Sequence, residues 1–395
     1  MGNAPAKVMF YVQHLLGIGH LARASLICEQ FTKQGHDVTM VMGGEPVKGF
    51  PSSQIDVLQL PVLKAGTERF NDLTDEKGQI VDEAYKQNRC AMLLDFFERF
   101  QPDILVIEAF PFGRRQMRFE LLPLLEAAKS TRDKTIIAGS VRDIVQEKKK
   151  PKRALETVAT LNHYYDLLLV HGDPNFAKLD ETFELTSEIQ HLISYTGIVA
   201  GHVPELIGEP YDIVVSAGGG VAGEAIMINA LKAKPLSRFS SASWCFLVGP
   251  NLSADVRNRL DAINDGTVTI ESTRSDFRAL LASAKLSISQ AGYNTTADIL
   301  QAKCASVLVP YAVGGETEQT LRAEKLQRAG LATLIKEENL SPMAMAQAID
   351  SCVKDSVSKF EVKIDMLGAS KSVSLLLKQL VMKNKGVYIL DKPMK

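Results

Sequence analysis

At 395 residues the chain exceeds one ordinary core, and the usual range of roughly 100 to 200 residues per domain gives two units. Hydrophobic residues make up 46% and charged residues 23%, which excludes a disordered chain. With 45 basic and 46 acidic residues the formal net charge is −1, so no global field selects nucleic acid or an anionic membrane as partner.

The first half carries short aliphatic runs, VMFYV, DVTMVM, IDVLQLP, DILVIEAF, TIIAGSV and DLLLVHG, each followed by a helix-length stretch. The second half begins again at YDIVVSAGGG and continues with WCFLVGP, TVTI, KLSIS, ASVLVP and LATLI. This alternation predicts two parallel sheets with crossover helices, and continuous rather than alternating apolar strands mean that both sheet faces are covered. The expected fold class is therefore α/β, two doubly wound Rossmann-like domains in tandem. TGIVAGHVPELIGEP supplies the Gly and Pro residues of a linker and sets the boundary near 208. The expected domains are 1–207, 208–368, and a C-terminal helix and tail, 369–395, docking back on the first. Ligands of such folds collect at the carboxyl ends of strands, so a cleft between the domains is the expected site.

The first strand ends in GIGHLA, which fits GxGxxA before a helix, so a dinucleotide loop is one reading; the acidic ribose ligand about 20 residues on is represented at best by Glu45. His20 stands in that loop at a helix N-terminus, where the macrodipole disfavours imidazolium and leaves a base, or simply a cap. After the next domain's first strand, Gly218, Gly219, Gly220 and Gly223 have Walker A spacing, but Glu224 replaces the lysine, leaving a glycine turn able to approach a diphosphate. SISQAGYNTTADIL gives a second helix start at Gly292 and Asn294, with Asp298 one turn inside, either satisfying the dipole or accepting from a sugar diol. After a further strand, Glu316, Glu318 and Gln319 open a helix and can read hydroxyls in paired hydrogen bonds.

The five cysteines show no metal or disulfide spacing, and no DxD stands at a strand end, so no cofactor and no metal are expected. Nothing resembles a cleavable signal and no run reaches the roughly 18 to 20 apolar residues of a spanning helix, so a cytoplasmic protein is expected. Lys148, Lys149, Lys150, Lys152 and Arg153 form a basic run, read as a solvated loop or as a contact to an anionic acceptor or peripheral membrane surface.

The ordered series AGGG, SQAGYNTTAD and VPYAVGGETEQTLRAEKL, over roughly residues 212 to 335, resembles the C-terminal domain of GT-B glycosyltransferases, especially family 28, which holds the peptidoglycan N-acetylglucosaminyltransferase. The resemblance implies a metal-independent transferase that uses a UDP-sugar, with Gly17, Gly19, Gly218, Gly219, Gly220, Gly292 and Asn294 near the diphosphate. It further implies nucleoside contacts at Glu271, Ser272 and Asp298, a shorter residue than the family's usual Glu, and sugar contacts at Glu316, Glu318 and Gln319. GIGHLAR is similar to the GxGHxxR of pseudaminic acid pathway UDP-sugar hydrolases, which implies His20 as base and involves Arg23. Arg114 and Arg115, after a strand end, are either acceptor or phosphate contacts or plain surface charge. The partners expected are a nucleotide-sugar donor and an acceptor of unknown identity, with no nucleic acid. A hydrolase of the same fold, an epimerase, or a nucleotide-sugar binder without turnover are the competing readings.

Overall fold

The computed structural model of the chain describes residues 4–385 apart from 16, 67–71, 132–134, 146–150, 218–221, 250–253, 265, 273, 313–314 and 355–362. The chain divides into two compact units, Met1–Val199 with Leu367–Lys395, and Ala200–Met366. The division precedes the expected boundary because residues 200–212 are tied to the second unit. Ile207 donates its backbone N–H to Asp276 Oδ2 at 2.7 Å, and Arg278 Nε donates to the His202 carbonyl at 3.2 Å.

The strands of the first unit, in chain order, are β1 (Lys7–Val12), β2 (Asp37–Met42), β3 (Asp56–Gln59), β4 (Lys64–Ala65), β5 (Leu73–Thr74), β6 (Ile104–Glu108), β7 (Ile136–Arg142), β8 (Leu167–His171) and β9 (Ile193–Tyr195). Its main sheet runs β3-β2-β1-β6-β7-β8-β9, and every neighbouring pair is parallel. The helices are α1 (Gly19–Lys33), α2 (Glu83–Phe100), α3 (Arg118–Ser130) and α4 (Pro151–Tyr164). Strand order reverses between β1 and β6, so the ends of these two strands form the switch point where such folds place ligands.

The apolar residues VMFYV of β1 are all buried, as continuous patterning requires. On α1, Leu21, Ala24, Ile27, Cys28 and Phe31 recur at helical spacing and bury one stripe against the sheet. Lys33 is its last residue, and Gly35, at φ +81, turns the chain into β2.

The second unit adds β10 (Ile213–Ala217), β11 (Trp244–Val248), β12 (Val268–Ser272), β13 (Leu286–Ser289), β14 (Ser306–Leu308) and β15 (Thr333–Leu334) in the parallel order β12-β11-β10-β13-β14-β15. Its helices are α5 (Ala222–Ala233), α6 (Ala254–Ile263), α7 (Phe277–Ser283), α8 (Tyr293–Ala302), α9 (Glu318–Arg328) and α10 (Pro342–Lys354). The last helix, α11 (Gly368–Asn384), belongs to the first unit, where Val373, Leu376 and Leu380 join the core formed by β1 and α1. Gly368 is required there, because a Cβ would lie 2.6 Å from the Gly197 carbonyl oxygen. Among the described residues, no helix is long and apolar enough to cross a membrane.

Candidate active site

The carboxyl ends of β1, β6 and β7 bring side chains from three separate parts of the sequence together. His20, in the first turn of α1, is partly exposed, and its Nδ1 lies 2.8 Å from Glu108 Oε1. Glu108 ends β6, is buried, and also accepts from Arg23 on Oε1 and from the Ser140 hydroxyl on Oε2. Glu108 and Ser140 are register partners across β6 and β7, so side chains standing on one sheet face meet directly.

Burial and the charge of Arg114 lower the pKa of His20 to about 3, against a smaller upward pull from Glu108. Burial, rather than the helix end read from the sequence, leads the shift. Burial alone would raise Glu108, but the Arg23 guanidinium and the His20 hydrogen bond hold it well below the usual carboxylate range. An ionised carboxylate can only accept, so Nδ1 of His20 carries the ring proton and donates it. Nε2 then holds a lone pair, and among the described residues His20 makes no hydrogen bond through it.

Behind this pair lies a second buried cluster. Arg89 Nε donates to Glu120 Oε2 at 2.6 Å and its Nη2 donates to Gln13 Oε1 at 2.7 Å, while the Tyr11 hydroxyl donates to Glu120. Gln13 Nε2 donates to the carbonyls of His14 and Leu63, each at 3.0 Å. The segment between β1 and His20 is thus anchored to α2 and α3 from inside the core.

The three arginines singled out in the sequence go to different places. Arg23, expected as an acceptor or phosphate contact, is buried with its guanidinium on Glu108. Arg114, at φ +57, donates from Nε to the Gln13 carbonyl at 2.6 Å, and burial leads in lowering its pKa to about 10. Arg115 pairs with Glu156 of α4, a surface ion pair. Lys152 and Arg153 lie in the first turn of α4; Lys148, Lys149 and Lys150 are outside the described residues.

In the second unit, Gly218, Gly219 and Gly220 are outside the described residues. Gly292 caps α8 at φ −62, and a Cβ there would meet nothing within 4 Å; the same open space surrounds Gly17. Neither position needs glycine for its own backbone or packing, so both leave room for close approach of another molecule. Asn294 is half-buried in the first turn of α8, and Gly19 opens α1. Asp298, one turn further along α8, is raised to about 6 by burial, opposed by Arg278, whose Nε lies 3.4 Å from its carboxylate.

Of the remaining predicted contacts, Glu271, Glu316, Glu318 and Gln319 already have partners within the protein. Glu271 accepts from the Tyr211 hydroxyl at 2.9 Å and from Arg274 at 3.0 Å, while Ser272 ends β12 exposed. Glu316 accepts from the Glu318 backbone N–H at 3.0 Å. Glu318 is buried and pairs with Arg322 at 3.0 Å, and Gln319 Oε1 accepts from the N–H groups of Ala291 and Tyr311, each at 3.2 Å. Glu318 and Gln319 therefore fasten the loops that follow β13 and β14. Glu108 and Ser140 were not singled out in the sequence. Their signal was there: polar residues at the ends of continuous apolar strands, where an ionisable group is costly to bury unless paired.

Two doubly wound units, the first with a histidine held at its switch point, define a chain of the GT-B fold. Among solved structures it is similar to MurG of Acinetobacter baumannii, with a TM-score of 0.59 at 16% identity over 95% of this chain and 100% of that one. It is also similar to CalG4, the calicheamicin glycosyltransferase, with a TM-score of 0.59 at 15% identity over 97% of this chain and 96% of that one. Residues 213–380 match the glycosyltransferase family 28 C-terminal domain. A curated relative from Thermotoga neapolitana is the UDP-N-acetylglucosamine--N-acetylmuramyl-(pentapeptide) pyrophosphoryl-undecaprenol N-acetylglucosamine transferase, 25% identical over 179 residues, 45% of this chain and 50% of that protein. The protein of the same name from Xanthomonas axonopodis pv. citri is 31% identical over 94 residues, 24% of this chain and 22% of its own. The chain spans about half the length of the first of these, or less.

Proposed function

We propose that this protein transfers a sugar, of the N-acetylhexosamine or another hexose type, from a UDP-sugar to an acceptor hydroxyl, with His20 as general base. The observation that carries the reading is the state of His20: neutral, its Nδ1 proton committed to Glu108, its Nε2 open. The acceptor oxygen attacks the anomeric carbon, the bond from that carbon to the diphosphate oxygen breaks, and the acceptor proton passes to Nε2. General-base help of this kind is typically worth about 10² to 10⁴ in rate. Glu108 and Arg23 keep the ring in the productive tautomer throughout.

The departing diphosphate would be met by Gly218, Gly219 and Gly220 and by the starts of α5 and α8, where helix N-termini favour negative charge without a metal. The open space at Gly292 and Gly17 fits such an approach. Asp298 would accept from the ribose hydroxyls, exchanging Arg278 for the nucleoside. With Glu318 and Gln319 holding neighbouring loops, Glu316 and the backbone around them are the groups left to contact the hexose. The named activity of the curated relatives supports an N-acetylglucosamine-type donor.

Water could take the acceptor's place at Nε2, which makes a nucleotide-sugar hydrolase the second reading, favoured by the similarity of GIGHLAR to a hydrolase motif. Incubation of the purified protein with a panel of nucleotide sugars, with and without candidate hydroxyl acceptors, separates the two. Acceptor-dependent UDP release supports transfer, and rapid release of UDP and free sugar without acceptor contradicts it.

A further inference from the structure

The carboxylate behind His20 is itself held from behind. Ser140 Oγ lies 2.8 Å from His171 Nε2, and His171 Nδ1 lies 2.9 Å from Thr196 Oγ1. Each member is buried: Ser140 at 1%, His171 at 0% and Thr196 at 0% exposure. The four groups step across adjacent strands, Glu108 at the end of β6, Ser140 in β7 and His171 at the end of β8, with Thr196 just past β9.

Counting protons fixes the direction of this row. A serine hydroxyl has one proton, and Ser140 gives it to Glu108, so towards His171 it can only accept. Nε2 of His171 must then carry a proton. A neutral His171 has a lone pair left on Nδ1, which Thr196 fills by donating to it. The Gly197 carbonyl at 2.8 Å and the Val170 carbonyl at 3.4 Å compete for that one proton, and donation to either would give the row the opposite polarity.

We propose that Thr196, His171 and Ser140 form a hydrogen-bond chain directed at Glu108, so that Ser140 and His171 are positioning residues for the base. Every donor in the row points towards the carboxylate. Oε2 is thereby fixed, the plane of the carboxylate is set, and Oε1 faces the Nδ1 proton of His20. With the opposite polarity Ser140 would donate to His171, Oε2 would lose its donor, and Glu108 could rotate or share the His20 proton differently. The inference rests on the reading of His20 as base, but the tautomer of His171 does not depend on it.

The test is two-bond ¹H–¹⁵N correlation spectroscopy of the histidine-labelled full chain near neutral pH, with His20 and His171 assigned by the loss of signals in His20→Gln and His171→Gln. The expected result is a proton on Nε2 of His171 and on Nδ1 of His20. An unprotonated Nε2 on His171 overturns the proposal, whatever the enzyme does. For turnover, Ser140→Ala and His171→Leu should lower kcat roughly ten- to hundredfold with the donor KM unchanged, as expected when a catalytic group is misplaced. Ser140→Thr, which keeps the hydroxyl, and His171→Gln, whose amide can donate from the Nε2 position, should recover most of that loss. Equal loss in the conservative and apolar variants would reduce the row to packing and overturn the proposal. A wild type that turns over no nucleotide sugar would instead sink the reading of His20, leaving the spectrum to decide the chain.

Discussion

Replacing Glu108 by Gln alters one charge and one donor–acceptor pattern at constant size. The carboxylate accepts from Arg23 and His20 on one oxygen and from Ser140 on the other. An amide has a single oxygen, so its NH₂ must face one of these groups. Facing His20, it donates to Nδ1 and forces the ring proton onto Nε2, which removes the base; a loss of about 10² to 10⁴ in kcat follows. The charge change acts separately on stability. Arg23 is about as buried as Glu108, and breaking a buried pair of this kind by removing one charge costs about 3–5 kcal/mol. For a unit of this size that is a fall of roughly 6–20 °C in melting temperature. UDP release under donor saturation reads the loss of turnover, and differential scanning fluorimetry reads the loss of stability. Unchanged turnover in a folded Glu108→Gln protein would refute tautomer control, and an unchanged melting temperature would refute the burial argument.

Four further outcomes are expected. His20 and His171 both stand near a pKa of about 3 in the fold, against about 6.5 unfolded, so the unfolded chain binds more protons between those values. Stability is therefore full above about pH 6.5 and declines on acidification, by about 2 kcal/mol per histidine at about pH 5, a slope that urea titration across this range should show and that a flat profile would contradict. Gly292→Ala meets neither a clash nor a positive φ, so melting temperature should hold while calorimetry shows weakened UDP binding; equal UDP affinity would remove Gly292 from the site. Arg89→Met leaves Glu120 buried without its guanidinium and should cost about 3–5 kcal/mol in chemical denaturation, whereas a loss below about 1 kcal/mol would show the cluster to be dispensable. With Asp298 raised to about 6, UDP affinity should weaken below that pH in the wild type and not in Asp298→Asn; parallel pH profiles for the two would exclude a ribose contact.

The architecture was legible because parallel strands buried on both faces write themselves as continuous aliphatic runs, from VMFYV at β1 to LATLI at β15. Three-residue β9 and the hairpin β4–β5 were not, since so few residues carry no pattern. His20 could be read from GIGH because glycines and a helix start surround it locally. Glu108, Ser140 and His171 are separated by dozens of residues and meet only through strand register, so each looked like the polar tail of a strand. Arg23 was read as part of the GIGHLAR motif and Glu318 as a sugar contact, and only the fold shows that both are buried in ion pairs. A charged residue inside an apolar face is the readable sign, although its partner is not.

The most direct test is UDP release from UDP-N-acetylhexosamines by wild type and His20→Ala, alongside calorimetric binding of the same donors. The account predicts tight UDP-sugar binding by both proteins, acceptor-dependent turnover by the wild type, and a loss of about 10² or more in His20→Ala. Turnover that survives the loss of His20, or stabilisation by NAD and by no UDP compound, would contradict it.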